Sequence, residues 1–132
     1  MKILGPLIRA KFVERPNRFI TMVNIDGVIH RSHLPDPGRL KELLFSGANL
    51  LVRPAPKHSV RKTKYSTVMV NHDGQLISLV TALPNQFVKE ALEKKELSIF
   101  KDYTLVRPEV TVEKHRFDFL LKSSNGSDFY LE

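Results

Sequence analysis

The sequence contains no cysteine, and this absence sets the first limits on the protein class. Disulfide bonds are excluded, and so are metal sites built on thiolates. The segment Met1–Pro6 has one lysine and no long apolar stretch, so it does not resemble a signal peptide. No window approaches the ~18 consecutive apolar residues of a membrane-spanning helix. We therefore expect a soluble, cytoplasmic protein with no membrane partner.

Acidic residues are also scarce. Asp and Glu total 14 against 21 for Lys and Arg, which gives a net charge of +7 and an isoelectric point near 9.8. Most of the excess lies in residues 1–64, whereas the chain after residue 85 is close to balanced. An excess of this kind favours polyanions, so DNA, or alternatively RNA, is the expected partner.

Short apolar-rich stretches separated by turn signals indicate β-strands in residues 1–81. The break Arg15-Pro16-Asn17 is predicted to end the first strand, and Asp26-Gly27 and Asp73-Gly74 predict tight turns. The predicted strands are Leu7–Val13, Phe19–Ile25, Val28–His33, Ala48–Val52, Tyr65–Val70 and Leu76–Val80.

A short helix is predicted between the third and fourth strands. Asp36 suits its N-cap, Pro37 its first position and Gly47 its C-terminal stop, with an apolar stripe of leucines between them. This order of strands and helix is typical of a Greek-key OB barrel, with an SH3-like barrel as the alternative. We predict an OB-like nucleic-acid-binding domain at residues 1–81.

From Ala82 the apolar period changes. Asn85 is predicted to cap a helix that runs to about Leu97. Three strands follow, at Tyr103–Val110, Arg116–Leu121 and Asp128–Glu132, so that residues 82–132 form a second domain and the fold class is α+β. The last strand pattern continues to the final residue, and we expect the sequence to be truncated there.

The loop 54–64 is the main candidate for phosphate contact, because Arg and Lys neutralise phosphates and loops of OB barrels line nucleic-acid grooves. A solvated loop is the alternative. The stretch 33–40 is a second candidate, as a helix N-terminus that attracts anions, or else an ordinary turn; His33 has no partner at metal-ligand spacing. Phe12 and Phe19 are predicted to pack in the core rather than to stack on bases. The predicted nucleic-acid-binding residues are Arg18, Arg39, Lys57, Arg61, Lys62 and Lys64.

Carboxylates in the second part are candidate ligands of Mg²⁺ or Mn²⁺ in phosphodiester cleavage. Asp118 is flanked by apolar residues, where an acid is costly without a partner or metal. A three-residue turn, Ser124–Gly126, pairs the apolar residues Phe119 with Leu131 and sets Asp118 opposite Glu132. Cβ atoms of such pairs lie ~5 Å apart, within bridging reach of one cation.

Several stretches resemble the sugar fermentation stimulation protein A family. The His33–Leu40 stretch, HLPDPGRL, is the most specific of them. The matching stretches are Arg15–Phe19, His33–Leu40, Arg61–Thr63, Leu83–Asn85 and Arg116–Leu121. The resemblance implies an OB-type domain joined to a PD-(D/E)XK nuclease-like domain, and sequence-nonspecific DNA binding with a regulatory role.

The resemblance also implies a metal site and catalytic roles. Asp118 and Glu132 would be its acids, with Glu109 and Glu90 as helpers. The motif requires a Lys two residues after Glu132, so residues 1–132 are expected to be inactive alone. Lys114-His115 departs from the small Gly/Ser pair usual in the family. Three functions stay open: a nucleic-acid-binding module, a Mg²⁺- or Mn²⁺-dependent nuclease, and a regulator whose second half only packs or contacts DNA.

Overall fold

The computed structural model describes all 132 residues and contains two compact units. The first is Lys2–Thr81, and the second is Ala82–Glu132 together with Met1. No helix in either unit is long and apolar enough to cross a membrane.

The first unit is a closed barrel whose strand pairs are antiparallel except for the one that closes it. Its strands are β1 (Ile8–Asn17), β2 (Ile20–Ile25), β3 (Val28–His33), β4 (Asn49–Pro54), β5 (Tyr65–His72) and β6 (Gln75–Ser78). They pair in the order β3-β2-β1-β4-β5-β6, and a parallel β3–β5 pairing closes the first five into a ring. This closure is that of an OB barrel, so the predicted architecture is confirmed.

The two Asp-Gly hairpins form as predicted. Asp26 and Gly27 both have positive φ, at 51° and 87°, and Asp73 and Gly74 take 50° and 78°. Two consecutive residues with positive φ give the type I′ geometry, whose twist matches that of the flanking strands. The alternating apolar residues of these strands consequently face one core, which includes Val23, Leu34, Val52, Val70 and Leu79.

Buried hydroxyls lie beside the β3–β5 closure. Thr67 is fully buried, and its Oγ1 lies 2.8 Å from both Thr21 Oγ1 and Ser32 Oγ. Thr21 also donates to the Ser32 carbonyl at 3.3 Å. Each buried hydroxyl therefore has a partner, as burial of a polar group requires, and the network links β2, β3 and β5.

Two local predictions for this unit are wrong. The first strand does not end at residue 13. It continues through Pro16 to Asn17, with register shifts against β2 after Phe12 and Glu14. Pro16 has no N–H to donate, and it is tolerated because it lies in this irregular part of the ladder.

The predicted helix after Asp36 is also absent. Residues 41–43 form only a turn, in which the Leu40 carbonyl accepts the N–H groups of Leu43 and Leu44. Leu40 has a φ of 53°, in the left-handed region that a right-handed helix cannot contain. The Asp36 carboxylate accepts the N–H of Gly38 at 2.7 Å, so this side chain closes a local turn instead of capping a helix.

The second unit contains a helix and a three-stranded antiparallel sheet. The helix α1 spans Leu83–Glu93, a 3-10 turn follows at Ser98–Phe100, and the strands are β7 (Tyr103–Val112), β8 (His115–Ser123) and β9 (Asp128–Leu131). The buried residues Leu92, Phe119 and Leu121 form the centre of its core. This arrangement also matches the predicted fold class.

The ends of α1 differ from the prediction. Ala82 is the N-cap, without a side-chain hydrogen bond, and Pro84 lies in the first turn, where a missing N–H costs nothing. Asn85 therefore does not cap the helix. At the other end, Lys95 takes a φ of 58°, and the N–H of Glu96 reaches back to the Ala91 carbonyl, which ends the helix before Leu97.

Candidate nucleic-acid interface

The predicted phosphate-binding loop connects β4 to β5, and a backbone hydrogen bond joins its two ends. The N–H of Ala55 donates to the Lys64 carbonyl at 2.7 Å. The Arg61 guanidinium folds back onto the loop end and donates from Nη2 to Thr63 Oγ1 at 3.1 Å and to Ser66 Oγ at 2.9 Å. Arg61 thus organises the loop while remaining exposed, and neighbouring lysines extend from a defined backbone.

Two depressions border this loop. The first, which we call the loop depression, has a volume of about 360 Å³. The second, the hairpin depression, has a volume of about 210 Å³. Lys62 lines both of them. The loop depression is lined by Ile20, His33, Arg61, Lys62 and Thr63. The hairpin depression is lined by Ile29, His30, Arg31, Lys62 and Lys64.

A third depression, the clamp depression, lies where the β1–β2 turn meets the segment after β3. Its volume is about 360 Å³. Arg18 and Arg39, both predicted from the sequence, line it together with Lys41. The full lining is Arg15, Asn17, Arg18, Pro37, Gly38, Arg39 and Lys41. No acidic residue lines any of these three depressions.

Arg15 holds the clamp depression together. Its guanidinium donates to the carbonyls of Gly38 at 2.5 Å, Arg39 at 2.8 Å, Arg18 at 2.7 Å and Asp36 at 3.1 Å. Four backbone acceptors from two segments therefore converge on one side chain. In the sequence, Arg15 is only one residue of a stretch that resembles the family, and no role was predicted for it. An arginine next to a proline does not indicate that its side chain will bind the carbonyls of a distant segment.

Arg15 lies near the end of β1 and is half-buried. Burial lowers the pKa of Arg15, nearby Asp36 raises it and Arg18 lowers it. The Nε atom is buried and has no hydrogen-bond partner. Since an arginine remains charged throughout the working pH range, the clamp keeps a fixed positive charge at the base of this depression.

Phe12 and Phe19, both predicted to pack in the core, differ in their exposure to solvent. Phe12 is 7% exposed and packs in the barrel core, as predicted. Phe19 is 52% exposed, so the prediction that it packs in the core is wrong. The reason is its place in the turn between β1 and β2, outside the inward alternation of either strand.

The six predicted nucleic-acid-binding residues thus fall into three groups, and all are exposed. Arg18 and Arg39 line the clamp depression. Arg61 lines the loop depression, Lys64 the hairpin depression and Lys62 both of them. Lys57 lies at a turn in the β4–β5 loop and lines none of the three.

Asp118 lies on β8, and Glu132 directly follows β9, the neighbouring strand of the second unit. Phe119 pairs with Leu131 and Leu121 with Phe129, which is the predicted register. Continuation of this ladder by one residue sets half-buried Asp118 opposite exposed Glu132. Asp118 and Glu132 offer two hard oxygen ligands. Mg²⁺ is often held by one or two carboxylates with water and substrate phosphates, so the pair fits Mg²⁺ or Mn²⁺ in ligand type.

Glu109 lies on β7, which pairs with the edge of β8 opposite to β9. It lies between the pairs Pro108–Phe119 and Val110–Phe117 of the β7–β8 ladder. Its φ is 51°, and its carboxylate forms an ion pair with Arg116 at 3.0 Å. No group of three or more potential ligands converges on one point in the structure. Glu90, on α1, accepts a hydrogen bond from Gln86 at 3.4 Å.

Two family models match the chain in succession. The SfsA N-terminal OB domain matches residues 13–79, and the sugar fermentation stimulation protein RE domain matches residues 82–132. Two relatives are named sugar fermentation stimulation protein homologs. The one from Acetivibrio thermocellus is 44% identical over 133 residues, and the one from Clostridium botulinum strain Langeland is 39% identical over 132 residues.

The chain is matched over its full length but spans only 56% and 57% of those two relatives. A solved structure with the same fold is that of Pyrococcus furiosus SfsA in complex with Ca²⁺. It superposes with a TM-score of 0.80 at 26% identity, and the match covers 98% of this chain and 54% of that one.

Proposed function

The chain belongs to the sugar fermentation stimulation protein family, and from this premise we propose that its barrel binds DNA through the phosphate backbone without sequence preference. The observation that carries the proposal is the clustering of basic side chains in three depressions without a single acidic lining residue. These depressions adjoin β2, β3, the β1–β2 turn and the β4–β5 loop. The same elements bind oligonucleotides in OB barrels generally.

The chemistry of these residues suits phosphates better than base edges. Lysines such as Lys62 and Lys64 are flexible point charges that neutralise a phosphate from many directions. Phosphate contacts fix the position of a nucleic acid but carry no sequence information. A regulatory role would therefore act through occupancy of DNA, with any choice of sequence supplied by another factor.

The double substitution Lys62→Ala/Lys64→Ala tests the proposal. For each phosphate contact, log K falls by ~0.7–0.9 when the salt concentration rises tenfold. At 0.1 M salt each contact therefore adds ~0.7–0.9 to log K relative to 1 M salt, and loss of two contacts weakens binding about 25- to 60-fold. The measurement is fluorescence anisotropy with three labelled oligonucleotides of unrelated sequence. All three should lose affinity to the same extent.

The control for this experiment is Lys101→Ala/Lys114→Ala, which removes the same charge from exposed positions of the second unit. We expect less than about a threefold change there, because these lysines lie outside the three depressions. Equal losses of affinity in both variants would show that binding depends only on the net charge of the protein and not on the three depressions. Affinities that differ strongly between the three oligonucleotides would refute nonspecific binding.

A second candidate function is metal-dependent phosphodiester hydrolysis in a full-length protein that contains this chain. The register that sets Asp118 against Glu132 favours it. A bound Mg²⁺ or Mn²⁺ would neutralise a scissile phosphate and activate water. Asp118 and Glu132 would hold the cation, and Glu109 could join them only after its ion pair with Arg116 opens.

Calorimetry with Mn²⁺ tests the ligand pair directly in this chain. We expect binding to weaken at least about tenfold in Asp118→Asn, since half of the negative charge at the site is lost. Asp102→Asn, an exposed acid of the same unit, should bind as the unchanged protein does. Cleavage is then measured in the full-length protein. Identical Mn²⁺ binding in Asp118→Asn and the unchanged chain would remove the nuclease candidate.

A further inference from the structure

Phe19 exposes an aromatic ring at the turn between β1 and β2. It is 52% exposed, although the barrel has a well-formed apolar core. A single exposed apolar side chain is common in proteins and needs no explanation by itself. Phe19 differs from such a side chain in how its backbone is held and in what surrounds it.

The backbone around Phe19 is fixed on both sides. Its N–H donates to Asn17 Oδ1 at 2.9 Å, and its carbonyl accepts the N–H of Leu34 at 2.8 Å. The preceding carbonyl, that of Arg18, is held by the Arg15 guanidinium at 2.7 Å. The ring thus extends from a turn that is already ordered, and ligand binding would cost little additional conformational entropy.

The residues beside Phe19 belong to two different basic depressions. Arg18 lines the clamp depression and Ile20 lines the loop depression. Consecutive Cα atoms are about 3.8 Å apart, so the turn that carries the ring connects the two depressions directly. A nucleic-acid strand whose phosphates entered both depressions would pass next to the Phe19 ring.

An aromatic ring in this position recognises the flat face of a base. Stacking on aromatic side chains is tolerant of sequence, because every base has such a face. In a duplex the base faces are already covered by their neighbours, so only unpaired bases gain from the contact. We infer that Phe19 is a stacking platform for an unpaired base, and that the ligand class of the barrel is single-stranded nucleic acid. This inference rests on the proposed nucleic-acid binding.

The absence of tryptophan from the chain allows a direct optical test. Phe19→Trp introduces a single indole, whose fluorescence should be quenched when single-stranded oligo-dT is added and should stay unchanged with a duplex of equal length. Phe45→Trp is the matched control, because Phe45 is 51% exposed in the same unit but lines none of the three depressions. Quenching in both variants, or in neither, would overturn the inference.

Affinity measurements on the native aromatic give an independent result. Phe19→Ala should weaken single-strand binding about 5- to 150-fold, the range for loss of one stacked base. Duplex binding should change by less than about twofold, and Phe19→Leu should restore little, since leucine has no π-face. Equal losses for single strands and duplexes would contradict the stacking role. Absence of binding to either form by the unchanged protein would instead refute the proposed function.

Discussion

Arg15→Met is expected to lower the free energy of unfolding of the barrel by about 2–4 kcal/mol. Hydrogen bonds from a charged group contribute ~1.5–3 kcal/mol each, and Arg15 makes four to backbone carbonyls. The sum is reduced because two of these hydrogen bonds are only partly buried and two are exposed, so that water replaces the lost donor. Methionine retains the aliphatic packing of the arginine stem, so the substitution isolates the guanidinium.

Thermal unfolding followed by circular dichroism measures this effect. For a unit of this size ~1 kcal/mol corresponds to a shift of ~4–8 °C, so the melting temperature should fall by about 10–30 °C. Arg9→Met, at an exposed position on the same strand, should change it by less than about 4 °C. A shift in Arg15→Met no larger than that of Arg9→Met would show that the clamp contributes nothing to stability.

Arg15→Lys provides a further comparison. A lysine has three donors on a single nitrogen and cannot reach carbonyls in four directions as a planar guanidinium does. We expect it to recover only a minor part of the lost stability. Since the clamp also sets the backbone at Arg18 and Phe19, the lysine variant should bind oligonucleotides more weakly than the native protein at temperatures where both are folded.

The features predicted correctly from the sequence depend on neighbouring residues. Asp26-Gly27 specifies a hairpin because few other dipeptides accept positive φ at two successive positions. The β8–β9 register follows from the alternation of Phe119 and Leu121 against Leu131 and Phe129, since a slip of one residue would expose the whole apolar set. Such local rules were sufficient to define the barrel and the second sheet.

The features that were missed depend on contacts between distant segments. The stretch after Asp36 has the composition of a capped helix, but Arg15, more than twenty residues earlier, takes the carbonyls of Asp36, Gly38 and Arg39. A first helical turn would need the same carbonyls for its own N–H groups. Phe19 was misplaced for a related reason, because β1 continues beyond Pro16 and moves the turn to residues 18–19. Neither effect can be predicted from the few residues on either side of the position concerned.

The affinity of the native protein for a labelled single strand is expected to fall about 50- to 300-fold between 50 and 200 mM salt. This range follows if about four to six phosphates are neutralised, because log K then falls with log salt at ~0.7 per contact. The three depressions are lined by eight Arg and Lys side chains, so four to six contacts would engage between half and three quarters of them. Salt dependence therefore measures how many of them meet the strand together.

The same titration of two variants separates charge from stacking. Lys62→Ala/Lys64→Ala should reduce the slope by ~1.4, whereas Phe19→Ala should lower the affinity at every salt concentration and leave the slope unchanged, because a stacked base releases no counterion. A flat response in the native protein would mean that the basic depressions do not contact phosphates. Parallel lines for the native and lysine variants would mean that the β4–β5 loop lies outside the contact surface, and only the clamp depression would then remain as its centre.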